Sequence, residues 1–364
     1  MGKLVRFSLV LLFIAPFFLG ASESKGHEEA HDKPSTEKSL DEKRAENSEF
    51  VKHHTKDSHD FHIVSAGNKH YGFPLPVILW DEGLHVFMSS AFEHGHKTVE
   101  SKGNHYFLDN HSGKIFKTDA HGTMEHDEHG HVVNAMPIDL SITKNVAVTI
   151  IMCFILLWVF RSVAKSYRSG LTPAGPAKFF EPIIVFVRDE IAIPNIGEHS
   201  YKKYMNYLLT VFFFIWFLNL AGMTPLGINV TGNIAVTFGL AILTFFITQV
   251  TAKKDYWLHI FWMPGVPVPM KILLAPIEVI GVFVKPFALM IRLYANMLAG
   301  HIVLGSLIAV VYYFTNYGAK GAFVGLTFFL NIIELLVALL QAYIFTMLTA
   351  LYFGAAAATH DEHH

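Results

Sequence analysis

A chain of 364 residues could build two or three soluble domains, but 52% apolar residues and 32 Phe suit a bilayer better than water. The formal net charge of -2 offers no basic excess to neutralise phosphates, so nucleic acid is not an expected partner. With Cys153 as the only cysteine, neither an intrachain disulfide framework nor a thiolate metal cluster can form.

The first element, Met1 to Ala21, carries Lys3 and Arg6, an apolar stretch from Phe7 to Leu19, and small residues at its end. That is the layout of a secretory signal peptide, with an uncleaved anchor as the alternative. Residues 22–60 are Glu, Lys, Ser and His with almost nothing large and apolar, a composition expected to be disordered. Across residues 61–142 short apolar runs return (Phe73 to Trp80, Leu84 to Phe87, Tyr106 to Leu108) between turn-rich pieces, which predicts a small, partly β-structured, extra-cytoplasmic domain. Sixteen of the 22 His lie between His27 and His131. His94, His96, His126, His129 and His131 have donors that suit Zn or Cu, while a solvated polar tract explains the same composition and no metal is assigned.

Residues 143–364 read as a membrane domain. Lys144 to Ala164 is the first piece long and apolar enough to span, and Arg161, Lys165 and Arg168 at its end place that end in the cytoplasm. Ala177 to Ile193 is too charged to span and is expected along the interface. A hairpin follows, Tyr204 to Gly222 and Ile228 to Val250, with Lys202, Lys203, Lys253 and Lys254 on its cytoplasmic side. Ile272 to Phe314 and Ala322 to Ala358 are far too long for upright spans of about 20 residues, so each either breaks in two or tilts steeply. Gly318 and Gly321 are expected to turn the chain between them, leaving the C-terminus cytoplasmic. The predicted fold is therefore an all-α polytopic membrane protein of five spans plus an interfacial helix, with a small external domain.

Ionisable groups at membrane depth are costly and need a partner or a pathway. Glu278, Lys285 and Arg292 recur every seven residues, which on a helix turns each only about 20° from the last, and Asn296 falls beside them. Such a stripe is either an ion-pair ladder or the lining of an aqueous path. Arg292 favours the path, because its neighbours Phe287 to Ile291 and Leu293 to Leu298 include no carboxylate. The last helix carries Asn331, Glu334 and Gln341. If the two helices are antiparallel with Gln341 facing Arg292, then His301 and Glu334 lie at nearly one depth, a candidate proton relay or a satisfied core hydrogen bond. Nine steps also rotate His301 about 180° from Arg292, onto another face.

In order along the chain stand Phe217-Leu218-Asn219-Leu220 before Thr224-Pro225, then Asn233-Ile234-Ala235-Val236-Thr237. Lys285-Pro286, Arg292-Leu293-Tyr294-Ala295-Asn296-Met297 with Gly300, and Leu340-Gln341-Ala342-Tyr343-Ile344-Phe345 follow. From about Met136 onward the sequence resembles ATP synthase subunit a. The resemblance implies that Arg292 is the essential arginine, that Asn296 and Gln341 flank it, and that Glu278 lies toward the cytoplasmic channel. His301 and Glu334 stand exchanged relative to the best-known bacterial pattern, which keeps the pair's proton-carrying chemistry. Implied partners are the c-subunit ring, the b-subunit peripheral stalk, the remaining subunits and the lipid bilayer of a bacterial inner membrane. No cofactor is implied. No Gly-x-x-x-x-Gly-Lys-Ser/Thr run occurs, so no directly bound nucleotide and no catalytic site are expected. Rival readings, a secondary transporter or a metal-sensing module on an anchor, would need internal repeats or a single span.

Overall fold

Short alternating runs give way at Lys144 to long apolar ones, and the computed structural model changes from strands to helices at the same residue. It describes residues 57–66, 69–95, 97–109, 112–125, 127, 132–169, 175, 177–224, 228–263, 267–313 and 316–358. The expected signal peptide and most of the charged segment after it lie outside the described residues. Two compact units are formed, one within residues 1–149 and 222–229, the other within 150–221 and 230–364.

In the first unit, β1 (Asp60–Ala66) and β2 (Lys69–Pro74) form an antiparallel hairpin. A three-stranded sheet in the order β4-β3-β8 joins Leu84–Met88, Pro76–Trp80 and Ile138–Asp139. A second sheet joins β5 (Val99–Ser101), β6 (Asn104–Leu108) and β7 (Ile115–Thr118). Its first hairpin turns on Lys102 and Gly103, both with positive φ (54° and 87°), the left-handed pair that a two-residue turn requires. Val77, Leu79, Phe92, Tyr106, Leu108 and Ile115 form one buried cluster. At its edge Asp81 accepts from Lys117 Nζ (2.9 Å), the Tyr106 hydroxyl (3.1 Å) and Asn104 Nδ2 (3.3 Å). The Lys117 hydrogen bond holds the Asp81 carboxyl below its ordinary range.

The end of the segment expected to be disordered, Asp57 to Asp60, is ordered. Asp57 accepts from the Asn145 N–H (3.1 Å) and the Thr143 hydroxyl (2.8 Å), and the Lys144 N–H donates to the Ser58 carbonyl (2.9 Å). These bonds satisfy donors that a helix N-terminus leaves free, and a carboxylate is the favoured charge there. His59 Nε2 lies 2.8 Å from Asp139 Oδ2.

The helices are α1 (Lys144–Ser169), α2 (Ala177–Phe186), α3 (Ile193–Ile196), α4 (Tyr201–Gly222), α5 (Ile234–Thr251), α6 (Lys254–Phe261), α7 (Val268–Tyr313) and α8 (Tyr317–Ala357). A π-helical turn, Val187–Ala192, carries α2 directly into α3. Five of them, α1, α4, α5, α7 and α8, are long and apolar enough to cross a membrane. The short α6 was not predicted.

Helices α7 and α8 contain 46 and 41 residues, and neither breaks, even at Pro276 and Pro286 of α7. At roughly 69 and 62 Å against about 30 Å of hydrocarbon, they fit a bilayer only when strongly inclined. The turn between them is not at Gly318 and Gly321, which lie inside α8. Asn316 starts that helix by accepting from the Gly318 N–H (2.9 Å), a cap that lets glycines follow in the first turns.

The second unit packs around aromatic side chains. Tyr204 of α4 stacks on Phe353 of α8 with ring centroids 4.5 Å apart, and Phe180, Phe212 and Phe213 are buried beside them. Gly354 is required by close approach, because a Cβ there would run into the Asn195 carbonyl of α3.

Candidate functional site

Placement of the polar residues on α7 and α8 begins with one glycine. A Cβ built on Gly300 of α7 would stand 2.6 Å from Glu334 Oε1 of α8, so the absence of a side chain at Gly300 admits the Glu334 carboxyl. This contact fixes the axial register of the pair. Counting at 1.5 Å per residue, Arg292 lies about 12 Å along α7 from Gly300, and Gln341 about 10.5 Å along α8 from Glu334. Because the helices are antiparallel neighbours, Arg292 and Gln341 share one level, and His301 and Glu334 share another.

Asn219 of α4 holds this stretch of α8 in place. It is fully buried, donates through Nδ2 to the Ala338 carbonyl (3.3 Å), and accepts from the Thr231 hydroxyl (2.8 Å). Ala338 lies between Glu334 and Gln341, so the bond acts on the segment that carries both. Apolar segments have few polar side chains to spare, and a buried Asn with both ends occupied is a positional constraint.

Each residue singled out in the sequence has a distinct setting. Arg292 and Asn296 lie exposed on the surface of α7, among exposed Val284, Phe287, Ala288 and Ile291. Among the described residues Arg292 has no ion-pair partner, although Tyr352 is near enough to feel its charge. Lys285 Nζ sits over the Tyr352 ring, 5.6 Å from its centroid. Glu278 is 39% exposed and lies 4.0 Å from His259 Nδ1. On α8, Glu334 and Gln341 are buried (7% and 3% exposed) and Asn331 is half-buried. His301 is half-buried; its Nε2 and both Glu334 oxygens are buried polar atoms without a hydrogen-bond partner among the described residues.

Unpartnered buried polar atoms are rare and expensive, and water is the usual solution. Three such atoms stand at one level, with hydrogen-bonding capacity that no side chain among the described residues takes up. A separate cavity of about 20 Å³, room for about one water, opens beside Lys285 and is lined by Thr248, Gln249, Tyr256 and Tyr352. Gln249 Oε1, on its wall, is also without a partner among the described residues. The helix α7 runs unbroken through Gly300, so the half-turn between His301 and Arg292 stands. Outward-facing Arg292 and His301 thus lie on opposite faces of α7.

His259, Tyr352 and Asn219 were not read as site residues from the sequence. His259 rides on α6, too short for a periodicity signal, and Tyr352 lies one apolar run away from any charged residue. Asn219 had a signal, a polar amide within an apolar span. Of the histidines considered for metal, His96, His126, His129 and His131 lie outside the described residues, and the side chain of His94 is not described either. Among the described residues no group of three or more His, Cys, Asp or Glu could hold an ion.

Fold and site together define a polytopic membrane protein whose two longest helices carry a graded set of proton-active groups around one outward guanidinium. A family model described as ATP synthase A chain matches residues 146–354. Residues 50–140 match a second family, described only as a domain of unknown function. An ATP synthase subunit a 2 of Prosthecochloris aestuarii is 40% identical over 296 residues, 78% of this chain and 86% of the relative. An ATP synthase subunit a of Chlorobium phaeobacteroides is 46% identical over 235 residues (62% and 68%), and one of Myxococcus xanthus is 40% identical over 253 (65% and 81%). The chain belongs to the ATP synthase A chain family.

Proposed function

We propose that this chain is the proton-translocating stator subunit of a rotary ATP synthase, with Arg292 separating two aqueous half-channels that serve a ring of c subunits. The observation that carries the reading is the exposed guanidinium of Arg292 on an apolar face of α7, with no ion-pair partner among the described residues. A fixed cation facing hydrocarbon is expensive unless something brings an anion to it, and a passing ring carboxylate would supply one. Between passes, the same charge repels protons and prevents direct leakage from one half-channel to the other.

In this reading protons enter from outside at the level of His301 and Glu334, with Asn331 one turn before Glu334. They neutralise a ring carboxylate, travel with the ring, and leave beside Lys285 and Glu278 toward the cytoplasm. Asn296 and Gln341 flank Arg292 and hold hydrogen-bonding groups at its level. His259, 4.0 Å from Glu278, joins the exit side. The basic residues after α1 and around the α4–α5 hairpin support a cytoplasmic C-terminus and an external head. The chain is read as non-catalytic, with nucleotide chemistry left to other subunits and the peripheral stalk holding it against the turning ring.

Arg292→Ala in the assembled complex tests the proposal. ATP-driven acidification of inverted vesicles is expected to vanish while the complex still assembles; pumping at the normal rate would refute the role.

A further inference from the structure

The three-stranded sheet of the head has two unlike faces. Register pairs Trp80 with Leu84, Ile78 with Val86 and Pro76 with Met88, and pairs Trp80 with Ile138 on the other side. Partners in such pairs point to one face. The Leu140 N–H donates to the Ile78 carbonyl, which extends the same register to Leu140. The opposite face, with Val77 and Leu79, packs into the buried cluster of the head.

Six residues of the outward face are 46–63% exposed: Trp80, Leu84, Val86, Met88, Ile138 and Leu140. None is charged, and only the Trp80 indole N–H can donate a side-chain hydrogen bond. Contiguous apolar patches of this kind are uncommon on water-facing surfaces and mark an interaction site.

Where the sheet stands in the chain identifies what covers it. Leu140 lies only four residues before Lys144, at most about 14 Å of extended chain from the first span. That short link is itself bonded to the sheet, with the Ile142 N–H donating to the Pro76 carbonyl (3.2 Å). The clasp of Asp57 and Ser58 ties the same head to the first residues of α1. The sheet is therefore pinned at the height where the chain enters the membrane, and the apolar surface resumes at Val146, 42% exposed on α1. A protein partner would need hydrogen-bonding groups around and within its footprint, on the order of one per 100–200 Å². This face supplies almost none, while a Trp beside aliphatic side chains is what the bilayer interface accepts.

We propose that the outward face of the β4-β3-β8 sheet is seated in the interfacial layer of the bilayer, so that the head lies on the membrane as well as being tethered to it. The inference goes beyond proton conduction and is independent of it. The test uses the full chain with Cys153→Ser, in vesicles of phosphatidylethanolamine and phosphatidylglycerol. Val86→Cys and Met88→Cys, both at exposed positions, carry an environment-sensitive fluorophore, and Glu100→Cys on the other sheet is the reference. Labels at 86 and 88 are expected to be quenched several-fold more by nitroxide-bearing lipid, and several-fold less by aqueous iodide, than the label at 100. Iodide quenching equal to the reference at both positions would overturn the proposal. Shielding from both quenchers would also overturn it, since a second copy or another subunit would then occupy the face.

Discussion

The molecule places a histidine and a carboxylate together in its head, and a histidine and a carboxylate at one level of its long helices, and the two carboxylates are treated oppositely. His59 is 5% exposed and bonded to Asp139 at 2.8 Å, while Asp139 also accepts from the Ser141 N–H (2.9 Å); only the second ring nitrogen, Nδ1, has no partner among the described residues. Glu334 is 7% exposed, yet neither of its oxygens, nor Nε2 of nearby His301, finds a partner among the described residues. In the head the carboxylate is held by the histidine and by a backbone N–H, and such bonds fix local structure. In the long helices the carboxyl is buried without such bonds, a standing cost to stability, and under the proposed function its free capacity serves water and a moving proton.

The sharpest way to break this contrast is to remove the ionisable carboxyl from each pair in turn. Glu334→Gln keeps size and polarity but ends proton exchange at that position, and ATP-driven pumping is expected to fall by about 100-fold, the scale of a lost proton-transfer group. Asp139→Asn is expected to leave pumping in the same vesicles essentially unchanged. Equal losses from the two substitutions would erase the distinction.

Next in size is the glycine that admits the acid. With Gly300→Ala the new Cβ would stand 2.6 Å from Glu334 Oε1, forcing the carboxyl aside. A displacement of that kind is expected to lower pumping about tenfold. Glu334→Asp, one methylene shorter, is expected to restore part of the rate in the double variant. Failure of any rescue would assign the loss to helix packing rather than to the acid.

Much of this was legible in the residues, for physical reasons that differ between elements. The spans follow from length and hydropathy, and the seven-residue spacing of Glu278, Lys285 and Arg292 puts them on one stripe of any α-helix. The common level of His301 and Glu334 follows from helical rise once the helices are antiparallel and Gln341 is set opposite Arg292. What no local pattern contains is long-range contact. That Gly300 serves Glu334, that Asn219 reaches the Ala338 carbonyl, and that Gly354 meets Asn195 depend on which helices become neighbours. Gly318 and Gly321 misled for a related reason, since glycine marks a turn only where nothing better starts the helix, and Asn316 does. In the head, short apolar runs between turns pointed to strands but not to the apolar outward face of the β4-β3-β8 sheet.

Smaller again is the expected effect of Asn219→Ala, which removes the amide between the Thr231 hydroxyl and the Ala338 carbonyl. Stability is expected to fall by about 1–3 kcal/mol, because a buried donor loses its partner. Detergent-induced unfolding of the purified subunit measures it, with Asn206→Ala on an exposed position of the same helix as the reference. A loss no greater than the reference would mean that α8 is positioned by apolar packing alone.

The smallest effect concerns the satisfied carboxylates of the head and is read through pH. The hydrogen bond from Lys117 lowers the Asp81 carboxyl; for Asp139, burial pushes upward and the bonds from His59 and Ser141 more than reverse it. Both groups are thus more acidic folded than unfolded. Their stabilisation is complete above the unfolded carboxylate value of about 3.9 and is lost as pH falls through the lower folded values. Lys117 shifts the other way, raised mainly by its bond to Asp81, so its share is complete below the ordinary lysine value and is lost only as pH rises through the folded one. Hydrogen exchange of β5–β7 amides in the full chain, corrected for intrinsic rates, is expected to show a plateau between these limits with an acid limb. Asp81→Asn is expected to lower protection at neutral pH on the order of fivefold, as partly exposed ion pairs do, and to flatten that limb. An acid limb of undiminished steepness in the variant would show that other carboxylates govern it and that Asp81 contributes packing only.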